Sequence, residues 1–376
     1  MAGHSWKNAS PTSANILNCH NTIIYSTTMS YLFNIHKRTL HFKQPAGTSR
    51  GVYTTRTSWI ISVSDTCRPD IIGRGECAPL PDLSCDACDN YEDILNDMCR
   101  HTSARNDIPY DLLRPYPSML FGIETALLDL KNGGKGIIFD TPFTRGKEGI
   151  TINGLVWMGR HDEMLARLEQ KMQQGFRCVK LKIGAIDFNE ELDLVRHIRQ
   201  AFNKSQIELR VDANGGFAPS DAMKRLESLA AYDIHSIEQP IRQKQWTEMA
   251  QLCANTPIPI ALDEELIGIN QRGDKELLLD AIRPQYIILK PSLHGGMQGA
   301  EEWIALAQQR GIGSWLTSAL ESNIGLNAVA QFAAQIYGPN ISMPQGLGTG
   351  QLFTDNIEMP LHICGDKIWR GNIYKF

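Results

Sequence analysis

Six charged residues recur in step along the second half of the chain: Lys180 and Lys182 in VKLKIG, Asp212 in LRVDANGG, Glu238 in HSIEQP, Asp263 in IALDEE and Lys290 in IILKPS. From Lys182 onward the intervals are 30, 26, 25 and 27 residues, each the length of one strand-plus-helix unit. Each residue closes an apolar run just before a Gly, Pro, Asn or other polar residue. Any one of them alone would read as a helix cap or a surface ion pair. Their recurrence in register on consecutive repeats makes them a candidate site. Three carboxylates brought to one point repel each other unless a cation lies between them. An all-oxygen set without His or Cys suits a hard ion, Mg²⁺ first and Mn²⁺ as a substitute, with water and substrate oxygens completing the shell. Lys180 and Lys182 are two apart on a strand and so share a face. Like charge so close disfavours protonation of the neighbour, which suits one lysine to act as a base at neutral pH. The cation and Lys290 would then stabilise the enediolate left when a proton is removed beside a carboxylate.

The elements that must position these residues follow from the patterning. From Ile150 onward short apolar runs alternate with amphipathic helical stretches: RCVKLKIG before NEELDLVRHIRQAF, IELRVDANGGF before SDAMKRLESLAAYD, YIILKPS before AEEWIALAQQRG. Seven or eight such units in about 200 residues predict a modified (β/α) barrel, whose active site lies at the C-terminal mouth of its strands. No GxGxxG follows the first strand, so a dinucleotide-binding sheet lacks its signature. Residues 29–79 predict a β-meander (YLFNIHKRTLHF, VYTTRTSWIISVSD and IIGRGECAPL), and residues 84–132 predict two helices, the second in YPSMLFGIETALLDLKNGG. This half is expected to be an α+β capping domain. The expected divisions are a poorly ordered extension at 1–28, the capping domain at 29–148, the barrel at 149–350 and a tail at 351–376 returning to the capping domain.

Bulk properties bound the rest. The chain has 376 residues, 42% hydrophobic and 21% charged, enough for a sizeable core. A net charge of -4 and no basic stripe argue against nucleic acid, and the lack of an 18-residue apolar run argues against a membrane span. The nine cysteines form no framework, and Cys85 and Cys88 are a lone CxxC, so reduced thiols in a cytoplasmic protein are expected. The partner is then a small carboxylate. Oligomeric state is not legible.

The K-x-K pair, the Asp/Glu/Asp series and the later lysine resemble the enolase superfamily, specifically its muconate-lactonizing subgroup. RVDAN, PSMLFGIETALLDL, GRGECAPLP and SALESNIGLNAVAQFAA are similar to segments of the o-succinylbenzoate synthase family within it. The resemblance implies Asp212, Glu238 and Asp263 as metal ligands, Lys182 as the base, Lys290 as the opposed cation and Lys180 as the auxiliary lysine. It also implies syn dehydration of a succinyl-hydroxycyclohexadiene carboxylate. Arg210, Asn214, Ser318, Glu321 and Thr48 are the expected substrate contacts, with the loop Gln44–Gly51 as part of a lid. Racemisation of N-succinylamino acids, or another racemase or epimerase reaction of the subgroup, is the alternative. Dipeptide epimerases of the subgroup tend to carry D-x-D where this chain has Gly348, Thr349 and Gly350, which counts against an ammonium-bearing substrate.

Overall fold

The computed structural model describes residues 30–48, 51–156, 161–184, 187–339 and 341–371. The expected extension at 1–28 lies outside them. The first layer is an antiparallel meander of β1 (Tyr31–Thr48), β2 (Gly51–Asp65) and β3 (Arg68–Cys77). The segment read as a lid loop is instead largely strand. β1 and β2 pair from Tyr31↔Asp65 to His41↔Thr55, slip in register, and pair again at Ala46↔Tyr53, Gly47↔Val52 and Thr48↔Gly51. Pro45 lies at the slip, where its missing N–H costs no ladder bond. The glycines and proline that signalled a loop therefore serve a bulged hairpin.

Three helices complete this domain: α1 (Tyr91–Arg105), α2 (Tyr110–Leu113) and α3 (Pro117–Lys131). Pro117 opens α3, where a missing N–H is harmless. β3 packs on α3 at backbone contact. A Cβ at Gly73 would stand 2.1 Å from the Ala126 carbonyl oxygen, and one at Gly75 would stand 1.9 Å from that of Gly122. Only glycine permits that approach, which explains the GRGEC run. Ile61, Val63, Leu95, Met119 and Ile123 fill the core between sheet and helices.

The barrel begins with β4 (Ile150–Thr151) and β5 (Gly154–Val156), followed by α4 (His161–Gln173). It continues with β6 (Cys178–Lys182), α5 (Phe188–Ala201), β7 (Glu208–Asp212), α6 (Pro219–Ala230), β8 (Ser236–Glu238) and α7 (Trp246–Asn255). The last units are β9 (Ile260–Leu262), α8 (Arg272–Ile282), β10 (Tyr286–Leu289), α9 (Gly296–Gln308), β11 (Gly313–Leu316) and α10 (Asn323–Tyr337). Strands β5 to β11 form one parallel sheet in sequence order. Residues 345–346 close it, since Gln345 bridges to Ile152 and Gly346 to Thr317. The result is a modified (β/α) barrel beneath a capping domain, with Val179, Leu181, Leu209, Ile237, Leu289 and the inner helix faces in its core. Beyond it, Phe353 bridges to Phe42 of β1, while β12 (Leu361–Cys364) and β13 (Lys367–Arg370) form a hairpin that pairs with β4.

Candidate active site

Parallel pairing puts Lys182, Asp212 and Glu238 side by side at the ends of β6, β7 and β8, because Lys182 is opposite Asp212 and Asp212 opposite Glu238. Asp263 and Lys290 follow directly after β9 and β10. Lys182 and Lys290 thus stand four strands apart and face one cavity from opposite sides. Lys180, Lys182, Asn214, Glu238, Glu264 and Lys290 line its floor. Asp212 and Asp263 are fully buried beneath them.

The ammonium groups are held by the carboxylates. Lys180 Nζ lies 2.7 Å from Glu238 Oε2 and 2.9 Å from Asp212 Oδ2. Lys182 Nζ donates to Asp212 Oδ2 at 2.9 Å and to Asn214 Oδ1 at 2.7 Å, and Lys290 Nζ pairs with Asp263 Oδ2. Burial by itself would favour neutral lysines, but Asp212 and Glu238 raise Lys180 above the ordinary lysine range, and Asp263 does the same for Lys290. Burial likewise opposes charge on Asp212, yet Lys180 and Lys182 hold that carboxyl well below its usual range. Glu238 goes the other way. Burial and the charge of Asp212 push it up to about 8, against the pull of Lys180. Asp212, Glu238 and Asp263 are matched by three ammonium groups, and Glu238, flanked by Asp212 and Asp263, bears their repulsion.

A divalent ion would relieve it. Glu238 Oε1 and Asp263 Oδ1 are buried and have no hydrogen-bond partner, so two carboxyl oxygens are left for a ligand. Among the described residues no three acidic, His or Cys side chains are spaced as an ion cage, and Glu238 and Asp263 lie against Lys180 and Lys290. The orphaned oxygens and the all-oxygen donor set weigh more than that spacing, and the residues fit a hard cation. His294 fixes the Lys290 backbone, accepting its N–H on Nδ1 at 2.9 Å. Burial lowers this imidazole to about 3, so it stays neutral.

The expected substrate contacts divide. Asn214 and Ser318 line the cavity. Arg210 does not; it lies 2% exposed beneath Trp315, its guanidinium 4.5 Å from the indole ring, 2.8 Å from Glu208 Oε1 and 3.0 Å from the Pro344 carbonyl. Glu321 turns behind the wall and accepts from Ser318 Oγ at 2.6 Å and Ser292 Oγ at 2.5 Å. Arg210 was expected from the RVDAN resemblance and Glu321 from its place in the seventh loop, and their buried partners hold both out of the cavity lining. Thr48 pairs with Gly51 at the hairpin tip, and its side chain lies outside the described residues.

Other lining residues escaped the sequence reading. Tyr53, Leu80 and Leu83 come from the capping domain, Asn153 from just before β5 and Leu155 from within it, Trp315 from β11, and Ala319 and Leu320 from the loop after β11. They carry no local signal, because only tertiary folding brings them together. Glu264 could have been suspected from the acidic run after Leu262; its Oε1 accepts from Asn214 at 3.0 Å.

A capped barrel with lysines on both sides of an acidic floor defines an enzyme class that handles protons beside carboxylates. The chain belongs to the family described as Enolase C-terminal domain-like, whose profile matches residues 163–360. It is 46% identical to the o-succinylbenzoate synthase of Desulfotalea psychrophila over 87% of this chain and 95% of that protein. The crystal structure of MenC from that organism superposes with a TM-score of 0.78 at 41% identity, covering 90% of this chain and 99% of the other. The L-Ala-D/L-Glu epimerase of Bacillus subtilis is 26% identical over 76% of this chain and 79% of its own.

Proposed function

We propose that the chain is an o-succinylbenzoate synthase, a hydro-lyase of menaquinone biosynthesis. It would convert 2-succinyl-6-hydroxy-2,4-cyclohexadiene-1-carboxylate to 2-succinylbenzoate and water. The observation that carries the reading is the opposition of Lys182 and Lys290 across one carboxylate-floored cavity. The likeness to the Desulfotalea psychrophila enzyme supplies the substrate.

Lys182, as the free amine, takes the proton from the carbon bearing the carboxylate. The electron pair left behind forms the new ring double bond and expels the hydroxyl, which leaves as water with the proton carried by Lys182. Acid and base are one group, so the two bonds break on one face, a syn elimination. Asp212 and Asn214 hold Lys182 Nζ where it can serve both steps. Lys290, kept cationic by Asp263, faces the negative charge from the other side. Asp212, Glu238 and Asp263 are the proposed ligands of Mg²⁺, with Mn²⁺ as a substitute. When bound, the ion supplies Lewis-acid stabilisation of charge on the substrate carboxylate. A cytoplasmic setting agrees with the free state of the eight described cysteines and with the lack, among the described residues, of any helix long and apolar enough to cross a membrane.

Dipeptide epimerisation is disfavoured at Gly348 and Thr349, which line the cavity and bring no carboxylate to meet an ammonium group. Thr349 Oγ1 donates to Ser318 Oγ at 2.8 Å, a neutral pair. Side-by-side turnover of the cyclohexadiene and of N-succinylamino acids tests the reading. Turnover of the amino acids alone would make the protein a racemase.

A further inference from the structure

Arg56, on β2 of the capping domain, is 3% exposed and lies far along the chain from the barrel loops it serves. Its five N–H donors meet five backbone carbonyls. Nε donates to Leu320 at 3.2 Å, and Nη1 to Thr57 at 3.2 Å and Pro79 at 2.5 Å. Nη2 donates to Ala78 and, at 3.5 Å, to Ala319. One guanidinium thus joins two chain segments that both form cavity wall: Ala78–Pro79, leading into Leu80 and Leu83, and Ala319–Leu320 after β11. The apolar side chains follow the backbone link, since Leu80 and Ala319 pack in one small cluster with Leu83 and Leu320.

The second wall segment is strained. Leu320 has φ 65°, the left-handed region that a leucine rarely adopts. Arg56 holds its carbonyl, and Ser318 Oγ accepts its N–H at 3.1 Å. The Leu320 side chain lines the cavity. We propose that Arg56 is a positioning residue that sets the specificity of the pocket, locking the capping-domain wall to the seventh barrel loop so that the substrate meets one preformed surface. The inference rests on the reading of this cavity as the substrate site. Lysine replaces the guanidinium only in part, because three donors on one nitrogen cannot reach all five carbonyls. A second tether lies at the other end of the loop, where Glu76 accepts from Ser322 N and Gly325 N, each at 2.9 Å, and docks α10.

The full-length wild type, Arg56→Met and Arg56→Lys are compared by amide hydrogen exchange without substrate and by steady-state turnover of the cyclohexadiene with Mg²⁺. Exchange in residues 78–83 and 318–322 should rise together by on the order of tenfold, with strands β6 to β10 unchanged. KM should rise by about tenfold or more while kcat stays within about threefold, with Arg56→Lys between wild type and Arg56→Met. Wild-type exchange in either segment, an unchanged KM, or a fall in kcat alone would overturn the proposal. If Arg56→Met does not fold, Arg56→Lys is held to the same criteria. A wild type inactive on the diene refutes the synthase reading instead, and the exchange data then decide on Arg56.

Discussion

Lys182 Nζ has two anchors, Asp212 Oδ2 and Asn214 Oδ1, and they differ in kind. Asp212 is a proposed metal ligand, so its removal would blur two effects. The Asn214 side chain also donates to Glu264 Oε1 at 3.0 Å, while its hydrogen bond to Asp212 Oδ1 comes from the backbone N–H that glycine keeps. Its φ of 43° is left-handed, a conformation that glycine adopts without strain. Asn214→Gly should therefore keep the fold and lower kcat by on the order of 10- to 100-fold, read by turnover beside thermal unfolding. At this scale the sequence is most legible for residues that close strands. A Lys, Asp or Glu ending an apolar run announces itself, because nothing in a buried strand calls for charge there. Arg210 and Glu321 sit in equally suggestive runs, yet Trp315, Glu208, Ser292 and Ser318 draw them into the walls. Glu208 and Ser318 are local, but Ser292 lies 29 residues from Glu321 and Pro344, which Arg210 also holds, lies 134 residues from it, beyond the reach of any local pattern.

Among the elements, α9 is tied to the capping domain by a buried carboxyl of α3 and by the Arg114–Glu302 ion pair at 3.6 Å. Glu124 of α3 is 3% exposed and accepts from Met297 N at 2.5 Å and Gln298 N at 3.1 Å. Burial raises its carboxyl from 4.5 to about 8, although both amides pull downward. A folded-state pKa above the unfolded one stabilises the fold fully below about pH 4.5, and that contribution is lost as pH rises through 8. Glu124→Gln should therefore flatten the decline of stability across pH 4.5 to 8, a window worth a few kcal/mol at most, as measured by urea unfolding. An unchanged slope would mean that Glu124 is ionised throughout. Element types read well from the sequence because strand and helix periods differ. The β1–β2 hairpin did not, since Gly, Pro and Ser mark a bulge as readily as a loop and only the pairing with β2 tells them apart. The closing segment at 345–346 is too short to carry a period at all.

In the whole molecule, two packed cores meet over one acidic floor, and a ligand bound there stabilises both. Mg²⁺ at about a hundred times its Kd should raise stability by about 2.7 kcal/mol. Asp263→Ala should remove that increment, which paired thermal melts with and without Mg²⁺ would detect. Equal stabilisation of the variant would move the ion elsewhere. Barrel and capping domain were legible because strand–helix alternation and a meander are repeated patterns. The composition of the cavity was not, since its walls come from Tyr53, Leu80, Trp315 and Leu320, segments far apart in the chain. Everything converges on Lys182 as the group that moves the proton. The most direct measurement is conversion of the cyclohexadiene to 2-succinylbenzoate, with Mg²⁺, by wild type and by Lys182→Ala. The expected result is ready turnover by the wild type and a loss of at least about 10³-fold in the variant, with the fold intact. Turnover by Lys182→Ala near the wild-type rate would contradict the account.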